Sequence, residues 1–132
     1  MNTESRGQTA SLKVQLKAAE LDFICSLPTT PARYDVLLDK NGKIFRCQIK
    51  YCNRSSSSCD KSIEVDLSKT IKGERVGYTS KEIDVLLVYV PRIEEVLWVP
   101  KEVFHGKMSL KIKLEKTLAK HGTMARKFIW TR

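Results

Sequence analysis

Residues 34–50 read YDVLLDKNGKIFRCQIK, two apolar-rich segments joined by Lys40-Asn41-Gly42-Lys43. Asn-Gly is the strongest short hairpin signal, because both residues accept the positive φ that a tight type I′ turn demands. Strands at 34–39 and 43–51 therefore pair antiparallel, and the start of the first lies beside the end of the second. Side chains on a strand alternate faces, so Ile44, Arg46, Gln48 and Lys50 share one face while Phe45, Cys47 and Ile49 share the other. Asp35 then falls next to Gln48 and Lys50. An acid, an amide oxygen and an ammonium converging at a sheet edge can hold a divalent cation and a water beside a phosphate. The same residue types recur in ordinary hairpins, with Asp35 as a turn residue and Lys50 as a solvated edge charge. The rest of the chain has to decide between the two.

Upstream, Leu12, Leu16, Ala19 and Phe23 fall at helical spacing with Lys13 and Lys17 on another face, so residues 7–22 read as an amphipathic helix packed by that apolar stripe across a sheet. A short strand over Phe23–Leu27 and the stiff Pro28-Thr29-Thr30-Pro31 connector then deliver the chain to Asp35. Downstream, the pattern is lost between Tyr51 and Ser80, apart from a strand-like alternation at Ile63–Leu67. This stretch reads as a long irregular insert, either a solvated loop or an arm that reads nucleic acid through Lys61, Lys69, Lys72 and Arg75. Ile83–Val90 is an apolar run suited to a central strand, and Glu95–Val99 is its neighbour across the Pro91-Arg92 turn. Leu110, Ile112 and Leu114 alternate with Lys111 and Lys113, giving a half-buried strand whose outer face is basic. That face lies along a phosphate backbone or guards a sheet edge. Residues 116–132 form either a helix or a tail that docks Phe128, Ile129 and Trp130 on the core.

A chain of 132 residues with 42% hydrophobic content is expected to form one domain, residues 1–132. Its 24 Lys and Arg against 15 Asp and Glu give a net charge of +9, and residues 101–132 alone carry nine basic and two acidic side chains. A surface charged this way attracts polyanions, and nucleic acid is the commonest one in a cell. A membrane partner would want an amphipathic helix with aromatic anchors, and none is evident. The N-terminus is polar, the run Val85–Val90 is too short to cross a bilayer, and nothing marks the chain for export. Cys25, Cys47, Cys52 and Cys59 form no Cys-x-x-Cys pair, which fits a reduced, cytoplasmic protein. Zinc held by Cys52 and Cys59 with His105 or His121 would need a spacing unlike known zinc modules.

Several further pieces lie in a consistent order: Arg6-Gly7 opening the helix, Arg33-Tyr34-Asp35-Val36, Asn41-Gly42-Lys43, Cys47-Gln48-Ile49-Lys50, residues 77–84 (GYTSKEID), Tyr89-Val90-Pro91 and Val96-Leu97-Trp98-Val99-Pro100. With these the chain resembles the PD-(D/E)XK nuclease superfamily, and most closely its bacterial group I intron homing endonucleases, which favour Gln-x-Lys over Glu-x-Lys. The resemblance implies an α/β (α+β) fold with a restriction-endonuclease-like core, an N-terminal helix followed by a mixed central sheet, and the long insert. It implies that Asp35, Gln48 and the Ile49 carbonyl bind Mg²⁺ or Mn²⁺, and that Lys50 orients or activates water. Many relatives carry a glutamate on the first helix, four residues beyond the glycine. Here that position is Ser11, with Glu4 and Gln8 on the same helix face.

The function expected from the resemblance is site-specific, Mg²⁺-dependent cleavage of double-stranded DNA by a bacterial homodimer or homotetramer, nucleoid-associated when bound. Phosphate contacts would come from Lys13, Lys17, Arg33, Arg46, Lys61, Lys69, Lys72, Arg75, Lys111 and Lys113. Two other readings share the basic surface: a Holliday-junction-type resolvase, and a nucleic-acid-binding domain with weak or lost catalysis.

Overall fold

The computed structural model describes residues 1–56, 59–78, 81–114 and 124–132, without the side chains of residues 55, 56, 59, 60 and 69. It opens with helix α1 (Thr3–Glu20), whose N-cap Asn2 accepts a hydrogen bond from the Ser5 N–H at 2.8 Å and so satisfies one of the first-turn donors. Strand β1 (Ile24–Ser26) follows, then the hairpin of β2 (Val36–Lys40) and β3 (Lys43–Tyr51). Asn41 and Gly42 take φ of 54° and 82°, the paired positive values of a type I′ turn. Strand β8 (Val85–Val90) runs parallel to β3 and is buried along its whole length, and β9 (Glu95–Pro100) returns antiparallel beside it. These strands form a five-stranded mixed sheet in the order β1-β2-β3-β8-β9.

The chain between β3 and β8 is more regular than its composition suggests. It contains β4 (Ser55–Ser56), β5 (Cys59–Asp66), β6 (Ser68–Ile71) and β7 (Glu74–Gly77). The alternation at Ile63–Leu67 belongs to β5, which pairs with β10 (Ser109–Lys113) to build a second sheet in the order β10-β5-β4. Among the described residues, strands β6 and β7 pair only with each other, as a ribbon turning at Lys72 and Gly73 with φ of 51° and 82°. A short helix, α2 (Lys101–Phe104), links β9 toward β10.

Two apolar layers cover the main sheet. On one face Ala10, Val14 and Ala18 of α1 meet Val36, Leu38, Cys47, Val85 and Leu87. On the other Ile63, Val65, Leu67, Leu110 and Ile112 of the second sheet meet Leu86, Val88, Leu97 and Val99. The helix thus buries a different stripe from the one expected, since Leu12 and Leu16 are 54% and 57% exposed and Ala19 is exposed as well. Small residues win the inward positions because they let the helix backbone approach the sheet closely, where leucines would hold it off. Phe23 does join the core, packed edge-on against Trp130.

Of the two expectations for the C-terminus, the docked tail is the one seen in residues 124–132; residues 115–123 lie outside those described. The Trp98 N–H donates to the Phe128 carbonyl and the Trp130 N–H to the Val96 carbonyl, so the tail lines the β9 edge. Trp130 is buried beside Trp98 and Phe23. No helix among the described residues is long and apolar enough to cross a membrane.

Candidate active site

The hairpin register decides the site. Val36 lies opposite Cys47, which brings Asp35, the residue before β2, alongside the end of β3. The Asp35 N–H donates to the Cys47 carbonyl at 2.8 Å, and the Ile49 N–H donates to Asp35 Oδ2 at 2.8 Å. The aspartate is thereby pinned at both backbone and side chain against the last turns of β3. Cys47, Ile49 and Tyr51 face the α1 layer, which leaves Arg46, Gln48 and Lys50 on the opposite face. Sequence alternation and observed register agree on this point.

Asp35 keeps contact with solvent, yet the protein around it raises its pKa above the ordinary carboxylate value through desolvation. The Ile49 N–H and the charge of Lys50 pull the other way without cancelling the rise. Among the described residues Oδ1 accepts no hydrogen bond and the carboxylate forms no ion pair. Such a carboxylate would gain from a cation. Lys50 Nζ lies 5.3 Å from the centre of the Tyr78 ring.

Beside Lys50, a cleft of about 560 Å³ opens between the start of α1, the end of β3 and β5; Thr3, Arg6, Asn53, Glu64 and Asp66 are among its lining. Its carboxylates come from β5, not from the helix. Of the three helix candidates, Glu4 and Gln8 are exposed, Ser11 accepts a hydrogen bond from Gln15, and none lines the cleft. Asp66 is held below the usual carboxylate range, first by the Ser68 hydroxyl and then by the Ser68 N–H and the charges of Arg75 and Lys50. Glu64, Asp66 and Tyr78 were not singled out as site residues from the sequence. The only signals for them were the alternation at 63–67 and the Gly77-Tyr78 that opens the motif at 77–84.

The basic residues fall into separate groups. Arg46 is committed to Asp84, with Nε–Oδ2 and Nη2–Oδ1 distances of 3.1 and 3.0 Å. Arg33 pairs with Glu82 at 3.1 Å, and Arg75 with Asp66 at 3.3 Å. Lys13, 5.7 Å from the centre of the Tyr89 ring, and Lys17 sit on α1, across the sheet from Lys50. Lys111 and Lys113 alternate with buried Leu110 and Ile112, and so face away from the core; Lys111 is opposite Glu64. Lys61 is exposed on β5 and Lys72 stands at the ribbon turn; the Lys69 side chain lies outside the described set.

Zinc finds no support among the described residues. Cys52 is buried with its thiol against the Glu64 carbonyl, and no group of three or more His, Cys, Asp or Glu assembles there. The Cys59 side chain and His121 lie outside the described set. Burial pushes the Cys25, Cys47 and Cys52 thiols up, which leaves them as unreactive apolar packing.

Comparison with known proteins gives the same fold. A bacterial homing endonuclease, I-Ssp6803I, superimposes with a TM-score of 0.78, covering 98% of this chain and 89% of that one at 20% sequence identity. No curated protein matches the chain. The family model described as PD-(D/E)XK endonuclease matches residues 1–129. With nearly the whole sequence inside that match, and an N-terminal helix packed on a restriction-endonuclease-like mixed sheet, the chain belongs to the PD-(D/E)XK endonuclease family.

Proposed function

We propose that this nuclease is a site-specific endonuclease that cuts both strands of duplex DNA with Mg²⁺, in the manner of intron-homing enzymes. The observation that supports the reading is Asp35 beside the end of β3, with one carboxylate oxygen tied to the Ile49 N–H and the other without a donor among the described residues. Asp35, Gln48 and the Ile49 carbonyl are hard oxygen donors and would hold Mg²⁺ or Mn²⁺. Bound there, the ion supplies charge neutralisation at the scissile phosphate and an acidified water. Gln48 contributes no negative charge, so the site leans on the DNA phosphate to complete its affinity for the cation. Lys50 provides the positive charge that orients water and steadies the phosphate oxygens.

Reading a target takes more than the site. Among the described residues the β6–β7 ribbon joins neither sheet, and the major groove of B-DNA admits a two-stranded ribbon. Lys72 at its turn and Arg75 one pair below it make it the arm that enters the groove, while Lys61, Lys111 and Lys113 contact phosphate. One chain carries one such constellation, so cutting both strands requires a homodimer or homotetramer. Acting on DNA would place the protein at the nucleoid.

Purified protein is expected to nick and then linearise supercoiled plasmid in Mg²⁺ and to do neither in EDTA. Preferential cutting of a four-way junction over linear duplex would turn the reading toward a resolvase. Retained DNA binding with no cutting in Mg²⁺ or Mn²⁺ would favour a binding domain, consistent with the lack of an acidic side chain where α1 meets the cleft.

A further inference from the structure

Tyr78 follows β7 directly and is 7% exposed, packed in the apolar layer with Ile63, Val65 and Leu67. Its ring is therefore a fixed surface. Lys50, by contrast, reaches its position on a stem of four rotatable carbons. The ammonium 5.3 Å from the ring centre is within the roughly 6 Å range of a cation–π contact, which is strongest where water is partly excluded. Tyr78 also lies in the fields of Asp35 and Asp66, and Asp66 in that of Lys50. The phenol is pushed up by burial first and by those carboxylates next, which keeps the ring neutral and its face electron-rich at neutral pH.

We propose that Tyr78 is a positioning residue for cleavage: its ring face holds the Lys50 ammonium beside Asp35 at the sheet rim. This rests on the nuclease reading above and adds to it a residue from the insert that touches neither metal nor phosphate. It also ties the ribbon to the chemistry, because Tyr78 is the residue that leaves β7.

Substitution separates ring from hydroxyl. Tyr78→Phe keeps the face and is expected to cut supercoiled plasmid in Mg²⁺ within about threefold of the unaltered protein. Tyr78→Leu keeps bulk without the face and is expected to slow single-turnover cleavage about tenfold with unchanged DNA affinity. In a Lys50→Met background, Tyr78→Leu should cost nothing further. Equal losses in the Phe and Leu variants, a Leu variant that cuts normally, or losses that multiply with Lys50→Met would each overturn the proposal. NMR tests the contact in the folded protein without DNA. The Lys50 Hε protons, identified by their disappearance in Lys50→Met, should lie upfield from the ring current in the unaltered protein and in Tyr78→Phe. An unshifted Lys50 signal in the unaltered protein would overturn the proposal whatever the fate of Tyr78→Leu. If the unaltered protein cuts no DNA at all, the nuclease reading fails while this signature still reports on the contact.

Discussion

Two aspartates flank β3, one on each side, and they are held in opposite ways. Asp84, just before β8, accepts the Arg46 backbone N–H at 2.9 Å and grips the same residue's guanidinium with both oxygens. Asp35, just before β2, accepts one backbone N–H and forms no ion pair among the described residues. Hydrogen bonds from Arg46 lower the Asp84 pKa, whereas desolvation raises that of Asp35. The first carboxylate closes a structural joint between two parallel strands. The second carries no ion pair among the described residues and bears a desolvation penalty that the Ile49 N–H and the charge of Lys50 offset only in part.

The largest expected effect separates the two by chemistry. Asp35→Asn or Lys50→Ala should reduce plasmid cleavage by roughly 10²–10⁴-fold while DNA binding by gel shift survives. Asp84→Asn should leave cleavage within a few-fold. Equal loss of cleavage in the Asp35 and Asp84 variants would break the distinction, and unchanged cutting by both Asp35→Asn and Lys50→Ala would remove the assigned site.

Stability should sort the same residues in reverse. As a reference, Leu38→Ala, in the layer under α1, is expected to cost about 2–5 kcal/mol in denaturant unfolding. Asp84→Asn should cost about 1 kcal/mol, the range of a well-formed but partly solvated ion pair. Asp35→Asn should instead raise the metal-free Tm at neutral pH. Mg²⁺ should raise the Tm of the unaltered protein, more so with DNA present, and not that of Asp35→Asn. A Tm for Asp35→Asn below that of the unaltered protein would show that Asp35 is as well satisfied as Asp84.

The pH dependence sharpens the contrast. The folded pKa of Asp35 lies above its unfolded value, so across that interval the folded state holds a proton that the unfolded state has released. Stability attributable to Asp35 therefore falls as pH rises from the unfolded pKa through the folded one. Asp84 has a lowered folded pKa; its contribution is present above the unfolded value and is lost as pH falls through the folded one. Below neutrality, urea midpoints of Asp35→Asn and Asp84→Asn relative to the unaltered protein should drift in opposite directions with pH.

The smallest effects belong to the arm. Lys72→Ala or Lys111→Ala should each lower DNA affinity several-fold and reduce the slope of log affinity against log salt by about one. Arg46→Ala should act mainly through stability, because its guanidinium is spent on Asp84.

Local chemistry made parts of this protein legible from its residues. Asn41-Gly42 dictated a tight hairpin, the two-residue period of a strand put Gln48 and Lys50 on one face, and the apolar run Ile83–Val90 suited a central strand, which forms over Val85–Val90. Those are short-range rules of backbone geometry, and they were enough to bring Asp35 to the end of β3. The helix was legible as a helix but not in its orientation. Leu12 and Leu16 offered the stronger apolar stripe, yet close approach to the sheet selected Ala10, Val14 and Ala18. Nor could any local pattern pair Arg46 with Asp84, 38 positions away, line the cleft with carboxylates from β5, or set Tyr78 against Lys50. These contacts join segments far apart in the chain, and only the pairing of β3 with β8 and the stacking of one sheet on another supply the distances and the burial that give them their meaning.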